Sequence, residues 1–198
     1  MRRAAISGIL VAVVIGVLAI GADLPTSYVF WSADHPLTWD DFWAPAPTWA
    51  VQGNWVASPH LVIKWSASFK AVRTGSAWTA SVTSLTVINA VDCSLSWAIA
   101  SRTSPEALHH EQLHFDLHEV YRRLLENTLR PMTCQASSES ACQALNDLVK
   151  SKSAEILQRA QSAQLRFDDD TANGLNLQGQ ATWENEIADL LQNPAAAP

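Results

Sequence analysis

Five consecutive residues, His110, Glu111, Gln112, Leu113 and His114, place two imidazoles and a carboxylate at a spacing that can do chemistry. On a helix, side chains four apart leave the same face one turn apart, so both rings can share one tetrahedral ion. The glutamate beside the first histidine is angled toward the open side of that ion, where it can take a proton from an attacking water and hand it to a leaving amine. The pattern predicts Zn2+ as cofactor, His110 and His114 as metal ligands and Glu111 as catalytic general base. His118 extends the spacing into an apparent ladder, but at 1.5 Å per residue it starts about 12 Å along the axis from His110, too far to join the same ion. His109 points away from the pair. A third ligand must come from elsewhere in the chain.

The element that carries the pair is well marked. Ser104 offers an N-cap, Pro105 occupies the first helical position, and Glu106 puts an acid in the first turn. A periodic run to about residue 129 follows, and Pro131 ends it. Leu113, Leu117, Val120, Tyr121 and Leu124 form one apolar stripe with the two histidines along its edge, which sets the pair at a buried cleft wall. Asp116 falls opposite Glu111 and is expected to anchor the helix by hydrogen bonds, with Phe115 in the core.

Before this helix, residues 36–49 are rich in Trp and Pro and read as irregular packed structure. The segments 60–65, 68–74, 77–83 and 94–99 alternate Val, Ile, Thr, Trp and Ser as strands of an antiparallel sheet do. After it, helical patterns cover roughly 139–165 and 177–191, separated by the polar stretch 168–174. Sheet first and helices after predicts an α+β fold: a small antiparallel sheet followed by packed helices, with a zincin-like active helix.

The chain has 198 residues, 48% of them hydrophobic, which is room for one domain with a core, assigned to 23–192. Residues 193–198 form a low-complexity tail expected to be disordered. A net charge of −6 with scattered Lys and Arg excludes a phosphate-tracking surface, so nucleic acid is not an expected partner. Arg2 and Arg3 precede the uncharged apolar run 4–22, which predicts export through a signal peptide or membrane anchor over 1–22. The body would then be periplasmic or secreted, with membrane attachment through that segment if it is retained. Cys93, Cys134 and Cys142 suit an oxidising compartment; a local Cys134–Cys142 bridge is the first expectation, and Cys93 with either is the alternative.

These residues resemble a bacterial family catalogued as domain of unknown function 922, whose members are predicted to be secreted zinc-dependent proteases. The resemblance rests on Trp39, Asp40, Asp41 and Phe42; on Ser96 and Trp97; on the run from His110 to Phe115 and Asp116; and on Phe167 through Gly174 followed by Gln180 and Trp183. Asn173 stands where the family pattern has His. If that His is the third zinc ligand, an amide has replaced an imidazole here, and the candidates for the third position are Asp170, Asn173, Asp168 and Glu184. The competing reading of 168–170 is a solvated helix-capping turn. The chain is thus expected to be an exported zinc-dependent peptidase acting on a peptide or protein substrate. The alternative is a non-catalytic cell-envelope binding protein with a degenerate metal site.

Overall fold

In the computed structural model, residues 25–74, 76–138 and 140–198 are described, so the signal or anchor expected over 1–22 lies outside the described residues. A short strand β1 (Tyr28–Phe30) and a 3-10 turn (Trp39–Asp41) lead to a short helix α1 (Thr48–Gln52) and strand β2 (Ala57–Ser58). Two long strands follow, β3 (Leu61–Thr74) and β4 (Ala77–Asp92), then β5 (Trp97–Ala98). Helix α2 (Pro105–Leu129), strand β6 (Thr133–Ala136), helix α3 (Ala141–Thr171) and helix α4 (Leu177–Gln192) complete the order. The architecture is α+β, as expected.

The strands are fewer and longer than the segments read from sequence. Small residues at Ser66 and Ala67 do not interrupt β3; a register shift between Ser68 and Phe69 absorbs the irregularity, and the pairing with β4 continues from Leu61↔Val91 to Thr74↔Ala77. On the far side of β4, β1 pairs with its last residues and β6 with its first ones, all antiparallel. A separate two-stranded ladder joins β2 to β5.

Helix α2 packs on this sheet and against both other helices, and α3 also touches β3, β4 and β6. Its stripe of Leu113, Leu117, Val120, Tyr121 and Leu124 is buried against Ile63, Trp65 and Val87 of the sheet, Leu145, Val149 and Ile156 of α3, and Trp183 and Ile187 of α4. Burial of such side chains contributes about 1.5–3 kcal/mol each and outweighs the polar groups that α2 carries inward with them. The cap is the one expected: Ser104 Oγ accepts from the Ala107 amide at 3.1 Å. Asp116 anchors the helix as expected, accepting from Trp31 Nε1 at 2.7 Å and from Gln112 Nε2 at 2.7 Å. Burial raises its carboxyl above the ordinary value, against the pull of those two donors.

Three expectations need correction. Helix α3 runs to Thr171, so residues 168–170 belong to its last turn rather than to a break, with Asp169 and Asp170 exposed and Asp168 buried. Acids at a helix C-terminus oppose the dipole, but Asp168 is turned into the protein and Asp170 accepts from Trp183 Nε1 at 3.0 Å. The tail 193–198 is ordered: Pro194–Ala196 makes a 3-10 turn, Ala197 is buried, and Tyr121 Oη donates to the Pro198 carbonyl at 2.9 Å. Finally, all three cysteines are free thiols, Cys93 buried, and Cys134 and Cys142 partly exposed on β6 and at the start of α3.

Candidate metal centre

Helices α2 and α3 meet at the two histidines. The His110 and His114 rings stand nearly perpendicular, their centroids 4.6 Å apart, and their Nε2 atoms approach to 3.1 Å. Asp168 projects from α3 so that Oδ1 lies 3.3 Å from His110 Nε2 and 3.0 Å from His114 Nε2. All three residues are buried, and their ligand atoms lie within 4.8 Å of one another.

The donor set fits a metal ion. Ligand atoms about 2.0–2.1 Å from a tetrahedral centre are about 3.3 Å from each other, close to the three separations here, so the trio can form one face of a tetrahedron. The outer partners are in place as well: His110 Nδ1 faces Gln180 Oε1 at 3.2 Å and His114 Nδ1 faces Gln164 Oε1 at 2.6 Å. Phe167, next to Asp168, stacks on His110 at 4.8 Å and meets His114 edge-on at 4.5 Å, while Trp183 closes on Phe167 at 5.6 Å. This aromatic wall holds the rings by packing and keeps bulk water from their flanks.

Beside the trio opens a cleft of about 210 Å³ lined by His110, Glu111, Arg102, Ser104, Asn173 and Gly174, among others. Glu111 is buried, 1% exposed, and faces this cleft from the helix turn that carries His110. Arg102 holds the α1 lip of the cleft, its guanidinium donating to the carbonyls of Ala50, Val51, Gly53 and Trp55. The opposite lip is the turn between α3 and α4, where Ala172, Asn173 and Gly174 all have positive φ. Gly174 is required there twice over: its φ is 82°, and a Cβ would lie 3.1 Å from His110 Cγ.

The sequence candidates for the third ligand therefore separate. Asp168 joins the histidines. Asp170 is occupied with Trp183, Glu184 makes an exposed contact with His109 at 3.3 Å, and Asn173 lines the cleft outside the trio. His118 is apart as expected, its Nδ1 2.9 Å from Asn89 Oδ1, with burial and the neighbouring His114 pushing it down from 6.5 to about 3. Gln164 and Gln180 were missed at the sequence level. A signal existed for the first: Gln164, Phe167 and Asp168 have the i, i+3, i+4 spacing of one helix face.

A family model described as "Bacterial protein of unknown function (DUF922)" matches residues 46–174, and the chain belongs to that family. The match takes in His110, Glu111, His114 and Asp168 and ends on Gly174. No curated protein and no solved structure matches the chain.

Proposed function

Starting from membership of a family without an assigned activity, we propose that this chain is an exported zinc-dependent peptidase, hydrolysing peptide or amide bonds of a peptide or protein substrate. The observation that carries the reading is the convergence of His110 Nε2, His114 Nε2 and Asp168 Oδ1 beside a cleft that also holds Glu111. Three protein donors and one open position are the pattern of a catalytic rather than a structural zinc site. Zn2+ held there supplies Lewis acidity toward a carbonyl and toward water.

The chain's own residues do the rest. Glu111 takes the proton of the attacking water and returns it to the leaving amine. Phe167 and Trp183 keep the rings fixed and the inner side of the site dry, which strengthens every charge interaction within it. Asn173 and Gly174 on one lip and Val56 on the other bound the space for the substrate. Two histidines and one carboxylate also suit an oxygen-activating iron centre. The carboxylate of Glu111 on the open side favours hydrolysis, since it is the base such a reaction needs. The non-catalytic alternative drew on Asn173; Asp168 offers a third donor without it. The apolar run 4–22 behind Arg2 and Arg3 supports export by a signal peptide or anchor.

Elemental analysis with a peptide-cleavage assay tests the proposal. The expected result is about one zinc per chain, hydrolysis removed by a chelator and restored by Zn2+, and loss of both metal and activity in His114→Ala. Stoichiometric iron, or zinc-loaded protein that cleaves no peptide in a degenerate substrate library, would overturn it.

A further inference from the structure

Gln164 is 1% exposed and makes two contacts with one residue. Its Nε2 donates to the backbone carbonyl of His114 at 2.9 Å, and its Oε1 lies 2.6 Å from His114 Nδ1. The carbonyl can only accept, so the amide has one acceptable orientation: rotating it would set its oxygen against the carbonyl oxygen. With the amide so fixed, the group facing the ring is an acceptor. A bare Nδ1 at 2.6 Å would oppose two lone pairs, whereas an Nδ1–H makes a short hydrogen bond. A neutral imidazole has one N–H, so the Nε2 of His114 is left as a bare lone pair.

We propose that Gln164 is a positioning residue that selects the Nδ1–H tautomer of His114 and so aims Nε2 at the metal face before an ion arrives. The inference rests on the metal-centre reading above and goes beyond it to a residue that touches no substrate. Helix α3 thereby contributes twice to one ion, through the carboxylate of Asp168 and, one turn earlier, through the amide of Gln164. On the other ring, Gln180 Oε1 of α4 lies 3.2 Å from His110 Nδ1. The His114 Nε2 lone pair then converges with Asp168 Oδ1 and His110 Nε2 within 3.0–3.3 Å, an arrangement that a cation satisfies. Outer partners that are amides add no charge, so the trio with a divalent ion keeps a net positive charge that carboxylate partners would cancel.

The deciding experiment is nitrogen NMR of histidine-labelled protein after chelation, together with Zn2+ affinity by competition with a chromophoric chelator. In the wild type, His114 is expected as the Nδ1–H tautomer without metal. Gln164→Leu removes the acceptor; the tautomer should shift toward Nε2–H and zinc affinity fall about 10–100-fold. Gln164→Glu, isosteric and retaining an oxygen toward Nδ1 but losing the donor to the His114 carbonyl, should restore the tautomer and part of the affinity. A purely structural role would lower the affinity of both variants together and leave the tautomer alone. An Nε2–H tautomer for His114 in the wild type, or an unchanged zinc affinity in a folded Gln164→Leu, would overturn the proposal. The wild-type spectrum decides even if Gln164→Leu fails to fold. Absence of hydrolysis with the tautomer and affinity results intact would sink the peptidase reading alone.

Discussion

Helix α2 buries two polar clusters one after the other, and they are opposites. At His118, the buried groups pair donor with acceptor along a chain that ends on two arginines. Nδ1 meets Asn89 Oδ1 at 2.9 Å; the Asn89 amide faces the Phe115 carbonyl and Glu119 Oε2; and Glu119 accepts from Arg122 and Arg123, both at 2.9 Å. Donors match acceptors, and the cluster is closed. At His110 and His114 the outward nitrogens are satisfied by glutamine oxygens, but the inward ones face each other and a carboxylate. With the His114 tautomer proposed above, that cluster is closed by adding a positive charge. Both draw on histidines at four-residue spacing along α2; what differs is that Asn89 faces His118 with its oxygen and passes its own donors on to the Phe115 carbonyl and Glu119, whereas Asp168 sets one carboxylate oxygen against both inward nitrogens. Asn89 on β4 leaves the first as structure, and Asp168 on α3 makes the second a candidate metal site.

The largest effects should come from attacking the open cluster. Glu111→Gln is expected to lower peptide hydrolysis about 10²–10⁴-fold, the usual contribution of a general base, with zinc content still near one per chain. Retained full activity would remove Glu111 from the chemistry. Asp168→Ala should weaken zinc by more than the 10–100-fold that follows loss of an outer partner, because it deletes an inner one. If Asp170→Ala or Glu184→Ala weakened zinc as much, the assignment of the third ligand would be wrong.

Much of this contrast was legible in the residues, and the part that was not has a physical reason. The separation of His118 from His110 and His114 follows from helical rise alone, and the bounds of α2 from its cap and its proline. The third ligand did not follow, because it depends on how two helices far apart in sequence dock. Local charge reads 168–170 as solvated, which holds for Asp169 and Asp170; Asp168 is the exception, carried inward beside Phe167, which packs against both rings. In the same way Ser66 and Ala67 looked like a break between strands, and the ladder with β4 overrode them.

The closed cluster should respond to pH rather than to metal. His118 is held at about 3 when folded, against 6.5 for the free side chain, so between those values the unfolded chain binds a proton that the folded chain does not. Stability contributed by the neutral ring is therefore complete above about 6.5 and is lost as pH falls toward 3. The slope from this group approaches about 1.4 kcal/mol per pH unit. In His118→Gln, which can still donate to Asn89, urea unfolding at several pH values between 4 and 7 should show that component removed, with zinc stoichiometry unchanged. A loss of zinc in this variant would join two clusters that are separate here.

The smallest expected effect belongs to Gly174→Ala, and it separates the backbone from the site. At φ 82° an alanine costs about 1–2 kcal/mol through its Cβ. That Cβ would also lie 3.1 Å from His110 Cγ and 3.3 Å from Nδ1, so relief requires the ring to tilt away from Gln180. The variant should thus lose both stability and some zinc affinity, the latter by less than tenfold since His114, Gln164 and Asp168 are untouched. The slope of stability with pH set by His118 should remain, because the turn between α3 and α4 contacts the open cluster and not the closed one. Lost stability with unchanged zinc affinity would mean that the turn does not hold the His110 ring and that Phe167 alone fixes it.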